Sequence, residues 1–248
     1  MNIRTFLSIL LSLLFMNQIF AKEIQTDTFE TQNGEIVTVH FIQHASLYFT
    51  FNGITIYVDP VNYEGVEYKS LPKADVILIS HDHYDHFDKN AITDILTANT
   101  TIYCNATTQE LLETGVVLKN GAHISYKNVR NNEYNYIDIE AVPAYNTTAG
   151  RDMYHPKGRD NGYIITLGGS RIYIPGDCED MPEMKEYKDI DVAFLPVNQP
   201  YTMTVEQAIR AAKTINPKIL YPIHYSDTDL SGLSVLKDDG IEVRIFKM

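Results

Sequence analysis

Basic residues are scarce in this chain. Its 20 lysines and arginines are set against 32 aspartates and glutamates, for a formal charge of −12. That balance argues against general nucleic-acid binding, which depends on basic patches. Cysteine is scarcer still: Cys104 and Cys178 are the two present, too few for a disulfide scaffold. They either form one bond or remain separate buried thiols. Also missing is any apolar run of about 20 residues, the length a membrane-spanning helix needs. The nearest approach is Phe6 to Met16, apolar except for its serines, preceded by Arg4 and followed by Asn17-Gln18. With Ala21 as a small residue at the cut, residues 1–21 have the pattern of a secretory signal peptide rather than an anchor. The expectation is an exported protein, periplasmic or secreted, with no stable membrane anchor after cleavage. Loss of Arg4 with the leader would move the charge from −12 to −13. Residues 22–248 contain no linker, charge block or low-complexity stretch and read as one domain with a sizeable core.

What is abundant is concentrated. His81-Asp82-His83-Tyr84-Asp85-His86 directly follows the apolar run Val76-Ile77-Leu78-Ile79-Ser80, which predicts a buried strand. In extended backbone, residues two apart point the same way, so His81 and His83 can face one metal ion from the strand's end. The turn beyond can aim Asp85 and His86 at a second. Imidazole nitrogen with carboxylate oxygen suits zinc, with manganese, iron or nickel as further possibilities. A polar loop can collect such residues by chance, but three His and two Asp in six positions after a strand point to metal binding. His40 and His123 lie in strand-like stretches without metal spacing and read as structural.

The chain also resembles itself. Ser46–Thr50 and Ile54–Asp59 predict strands joined through Asn52-Gly53, a hairpin turn signal. In the second half Tyr163–Leu167 and Arg171–Pro175 flank Gly168-Gly169. Sixteen residues separate Asp59 from Asp75 and fourteen separate Asp177 from Asp191, with similar apolar strands starting at both later positions. Helices fit between these units. Asp88 can cap one carrying Ile92, Ile95 and Leu96. Thr107 with Glu110 predicts a capping box for a second, ended by Gly115. Thr204 with Gln207 predicts another, whose Val205, Ala208, Ile209 and Ala212 form a buried stripe. Lys218–Tyr221 then reads as a strand delivering His224.

The H-x-H-x-D-H motif after a hydrophobic strand resembles the signature of metallo-β-lactamase-fold hydrolases, over about Val39 to His224. Gln43-His44-Ala45-Ser46, Val58-Asp59-Pro60, Pro143-Ala144-Tyr145-Asn146, Gly176-Asp177 and Pro222-Ile223-His224 are similar to motifs of the branch containing L-ascorbate-6-phosphate lactonase and the phospholipase D acting on N-acylphosphatidylethanolamine. The resemblance implies an α/β fold, an αββα sandwich of two similar halves. It implies two divalent ions, expected to be Zn2+ with Mn2+ or another transition metal as alternatives. His81 and His83 would hold the first; Asp85, His86 and His224 the second; Asp177 would bridge, making Asp85 and Asp177 the catalytic carboxylates. Relatives place a further His where this chain has Asn146. His155 is preferred as its replacement, with His44 as the other candidate and a weakened first site as a third outcome. Asp59 reads as a group that orients the motif loop, or as a turn residue before Pro60. His44, Tyr145 and Asn146 are expected near substrate or behind the ligands, and Tyr154 and Tyr201 lie in neighbouring loops.

The implied activity is hydrolysis of an ester, lactone or phosphodiester by metal-bound hydroxide, since a divalent ion lowers the pKa of water to about 7. Two divalent ions, two carboxylates and one hydroxide leave a single positive charge, which favours a small anionic substrate. A β-lactam hydrolase is the alternative enzyme, and a non-catalytic metal- or ligand-binding protein the alternative class.

Overall fold

A computed structural model describes residues 24–248 except 63–64 and 131–132; the expected leader and its cleavage site lie outside the described residues. The chain builds two seven-stranded sheets, and each sheet comes from one half of the sequence. The first sheet holds β1 (Gln25–Glu30), β2 (Ile36–Gln43), β3 (Ser46–Phe51), β4 (Ile54–Val58), β5 (Val76–Leu78), β6 (Thr101–Cys104) and β7 (Val116–Val117), in spatial order. The second holds β8 (His123–Arg130), β9 (Glu133–Ala144), β10 (Asp160–Leu167), β11 (Ser170–Ile174), β12 (Ile190–Pro196), β13 (Ile219–Ile223) and β14 (Glu242–Val243). In both, the first four strands are antiparallel and the last three join in parallel.

Side-chain alternation explains the layers. Ile56 and Val58 on β4, Val76 and Leu78 on β5, Ile172 and Ile174 on β11, and Val192 and Phe194 on β12 fill the space between the sheets. Their neighbours Tyr57 and Ile77 turn outward under α1 (Lys89–Ile95), and Tyr173, Ala193 and Leu195 turn outward under α3 (Val205–Ile215). The result is an αββα sandwich. The repeat extends to hydrogen bonds: Asp75 accepts the Thr55 amide at 2.9 Å and Asp191 accepts the Arg171 amide at 3.0 Å. Each half also reaches across, with Asn128 donating to Asp75 and Gln32 to Asp191.

Two helix expectations change in detail. The helix α2 (Ala106–Leu112) is capped by Asn105, whose side chain accepts from the Thr108 amide, and ends at Glu113 rather than Gly115. Thr107 instead turns its hydroxyl to Asp82 and Asn105, both 3.2 Å away, because the chain turns helical two residues earlier. Leu96 is the residue after α1 and is partly exposed. Asp88 and the Thr204–Gln207 capping box act as expected. Cys104 and Cys178 are separate buried thiols, packed on the outer faces of different sheets. Among the described residues no helix is long and apolar enough to cross a membrane.

Candidate metal centre

The chemistry-bearing residues gather where strand ends of both halves meet. The first sheet supplies His44 from the β2–β3 turn, Asp59 after β4, and His81 to His86 after β5; the second supplies His155 before β10, Asp177 after β11 and His224 after β13. Strand β5 ends at Leu78, short of Ser80, because the Ser80 amide donates to the Asp59 carboxylate at 2.7 Å instead of to a neighbouring strand. His44, Asp59 and His224 have left-handed backbone, with φ of 55°, 44° and 50°. Such conformations cost a non-glycine residue about 1–3 kcal/mol and persist only where the surroundings enforce them. One enforcing contact is the His224 amide donating to the His44 carbonyl at 2.9 Å.

Two ligand groups result. His81, His83 and His155 form one, and His44, Asp85, His86 and His224 the other, each with its potential ligand atoms within 4.8 Å of one another. Asp177 lies between them. Its Oδ2 is 3.3 Å from His155 Nε2 and 3.2 Å from His224 Nε2, while Oδ1 is 3.2 Å from His86 Nε2. Asp85 Oδ2 is 3.2 Å from His44 Nε2 and 3.4 Å from His224 Nε2.

Behind the ligands stands a supporting layer. Asp59 Oδ2 is 2.8 Å from His86 Nδ1 and also accepts from the Ser80 hydroxyl, which is 2.8 Å from His81 Nδ1. One buried carboxylate thus orients two imidazoles, directly and through a serine. Asp160 does the same for His155, with Oδ2 3.2 Å from Nδ1, and Arg159 grips both oxygens of Asp160 at 2.7 and 2.8 Å. Such partners fix the ring and the nitrogen it presents.

The donor set fits a divalent ion. Despite these approaches, His81 Nε2, His86 Nε2, both ring nitrogens of His224 and Asp177 Oδ1 are buried without a hydrogen-bond partner in proper alignment. Several orphaned donors and acceptors in one place carry a desolvation cost, and ligation would satisfy their lone pairs. The electrostatics agree. Burial opposes the charge on Asp177, but the imidazoles of His224, His86 and His155 outweigh it and hold the carboxyl well below its ordinary range. Burial, then His86, keeps His81 neutral and ready to ligate.

The centre opens into a cleft of ≈ 960 Å³ whose floor is formed by His44, His83, Asp85, His155, Asp177 and His224. Tyr154, Tyr201 and Tyr225 line its walls together with Tyr84, which is 83 % exposed. Asp82, Asp227 and Lys247 are the charged residues at its rim. Six of the residues expected to ligate stand in the two groups, and the seventh, Asp177, lies between them. His155 stands with His81 and His83, and His44 with Asp85, so they serve opposite groups rather than compete for one place. Tyr145 is a correction: its hydroxyl donates to Glu183, its ring faces Lys157, and it does not line the cleft. Asn146 is likewise outside the cleft. Its amide donates to the His155 carbonyl and its side chain to the carbonyls of Arg151 and Tyr201, so it fastens the loop that carries His155. Sequence reasoning missed Ser80, Arg159 and Asp160. Ser80 had a signal, a hydroxyl between strand and motif; Asp160, five residues beyond His155, had none.

Residues 38–224 match the profile of the beta-lactamase superfamily domain. The chain is 26% identical over 230 residues to a UPF0173 metal-dependent hydrolase of Salinibacter ruber, covering 83% of this chain and 95% of that one. It is 29% identical over 233 residues to another from Pyrococcus horikoshii, covering 86% and 97%. A crystal structure from Parabacteroides distasonis, designated a metal-dependent hydrolase, superposes with a TM-score of 0.83 at 53% identity, covering 91% of this chain and all of that one. The extent of the domain match, the sandwich and the paired His/Asp groups together place the chain in the metallo-β-lactamase superfamily, as a metal-dependent hydrolase.

Proposed function

We propose that the protein is an exported hydrolase of a small ester, lactone or phosphodiester, working with two divalent ions, zinc foremost, in the manner of the lactonase and phospholipase D branch. The observation that carries this reading is Asp177, a buried carboxylate within 3.3 Å of imidazoles from both ligand groups. His81, His83 and His155 would hold one ion, Asp85, His86 and His224 the other, and Asp177 both. Bound there, such ions lower the pKa of water toward neutrality and stabilise negative charge on the attacked carbonyl or phosphoryl group. The chain's own residues bind and orient. Asp59 and Asp160 hold the imidazoles in one tautomer, and His44, 3.2 Å from Asp85, steadies that carboxylate.

The cleft suggests how substrate is divided. Its rim carries Asp82 and Asp227 against Lys247, so an anionic group would sit at the metals and not at the mouth. Tyr154 and Tyr201, edge to face with ring centres 5.0 Å apart, offer aromatic surface for the uncharged remainder. Export rests on the pattern of residues 1–21, and an intact Met1 on soluble cytoplasmic protein would overturn it.

The test combines metal analysis of gently purified protein with a panel of lactones, phosphodiesters and β-lactams. Chelation should abolish turnover, zinc or manganese should restore it, and Asp177→Ala should remove both bound metal and activity. Efficient turnover of β-lactams alone would overturn the substrate class. Full metal occupancy without turnover of any class would favour a binding protein.

A further inference from the structure

Two tyrosines beside the metal centre are pinned by their main-chain atoms while their side chains line the cleft. Tyr154 directly precedes His155, and Tyr201 sits in the turn after β12, 44 % exposed. The Tyr154 amide donates to the Arg151 carbonyl at 3.0 Å, and its carbonyl accepts from Arg159 Nη2 at 2.9 Å. The Tyr201 amide donates to the Asn198 carbonyl at 3.1 Å. One residue joins the two turns. Asn146 is buried, and its side-chain nitrogen donates to the Tyr201 carbonyl at 2.7 Å and to the Arg151 carbonyl at 3.2 Å. A primary amide has two N–H groups, one for each turn. A single side chain thus sets the distance between the segments that carry the rings.

The corner they make has a defined shape. The ring planes of Tyr154 and Tyr201 stand at 72° to each other, with centres 5.0 Å apart. A flat group lying parallel to one ring therefore meets the other at the same steep angle. Offset-stacked and edge-to-face contacts are both arrangements that aromatic pairs favour, and they add to what area burial alone supplies. A saturated group gains only the area it buries.

On the reading that the protein is a metal-dependent hydrolase, we propose that this corner is the subsite for a planar aromatic group of the substrate, next to the group that the metals bind. The substrate class narrows to esters, lactones and phosphodiesters that carry an aryl or heteroaryl ring. Tyr154 and Tyr201 contact that ring. Asn146 is a positioning residue, acting through the two carbonyls it ties together. Its own amide donates to the His155 carbonyl at 2.9 Å, a main-chain bond that replacement of the side chain leaves in place.

Calorimetry of the zinc-loaded full chain with benzylphosphonate and cyclohexylmethylphosphonate tests the subsite without turnover. The two probes share an anionic head and differ in the flatness of the ring. The saturated ring is the bulkier, so apolar burial alone favours it. The corner predicts the reverse, with benzylphosphonate bound about two- to tenfold more tightly. Tyr201→Leu, which keeps apolar bulk without a ring, should cancel that preference. Asn146→Ala should reduce it while metal content holds. Equal binding of the two probes by wild type, tighter binding of the saturated one, or binding of neither overturns the subsite. So does a Tyr201→Leu protein that keeps the preference. Loss of metal from Asn146→Ala overturns its role in the corner and makes it a support for His155. A ring preference in binding, without turnover of any aryl ester, lactone or phosphodiester, leaves the subsite standing and overturns the hydrolase reading.

Discussion

Histidine protonation and metal binding compete residue by residue at this centre. Burial works against a charge on His224, but Asp177 and then Asp85 outweigh it and push its pKa up to about 9. An ordinary His value is near 6.5, so at neutral pH a proton occupies the ring that would ligate. An ion entering must displace it. Calorimetry in buffers of differing ionisation heat should show proton release below about pH 9. Affinity at this group should rise with pH as the protons on His224 and on His86, which Asp177 and Asp59 also hold up, are given up. A second prediction concerns Asp59, whose carboxylate orients both His86 and His81. Asp59→Asn keeps a residue type tolerant of φ 44° but removes the charge, and should weaken metal binding about 10- to 100-fold. Metal titration against wild type checks it. The candidate ligands were legible because four of them fall within six contiguous positions, followed by familiar strand-end carboxylate and histidine motifs. Arg159 and Asp160 were not, because their roles depend on an approach between loops that leaves no spacing in the sequence.

Elements were readable where turn chemistry and periodicity agreed. Asn52-Gly53 and Gly168-Gly169 marked the central hairpins β3–β4 and β10–β11, and the Thr204 box marked α3. The two-residue strands β7 and β14 are too short to show a period and exist through pairing with β6 and β13. The start of α2 moved because Asn105, an equally good cap, precedes Thr107 and is also held near Arg159 and Asp160. The seam between β5 and β11 gives a prediction at this scale. Gly176 has φ +64°, and a Cβ there would lie 2.8 Å from Ser80 Cβ and 2.9 Å from the Asn161 carbonyl. Gly176→Ala should therefore cost about 1–3 kcal/mol of stability and, by displacing Ser80, weaken metal binding as well. Thermal melts with and without metal would show both effects; an unchanged metal affinity would place Ser80 outside the support of His81.

Across the whole molecule, the repeated halves visible in the hairpin signals extend to two complete sheets of matching order. What the repeat did not foretell was the division of labour, since both ligand groups draw on both halves. The chain passes from one sheet to the other once, between β7 and β8. Strand pairing therefore joins neighbours in sequence within each half, and contacts of this kind form early because little loop entropy opposes them. The metal centre exists only after the two halves dock, placing it late on the folding route. Stabilisation that arrives after the transition state slows unfolding without speeding folding. Stopped-flow kinetics with and without zinc should show a lower unfolding rate and an unchanged folding rate, making the bound ions a kinetic lock on a sandwich that assembles without them.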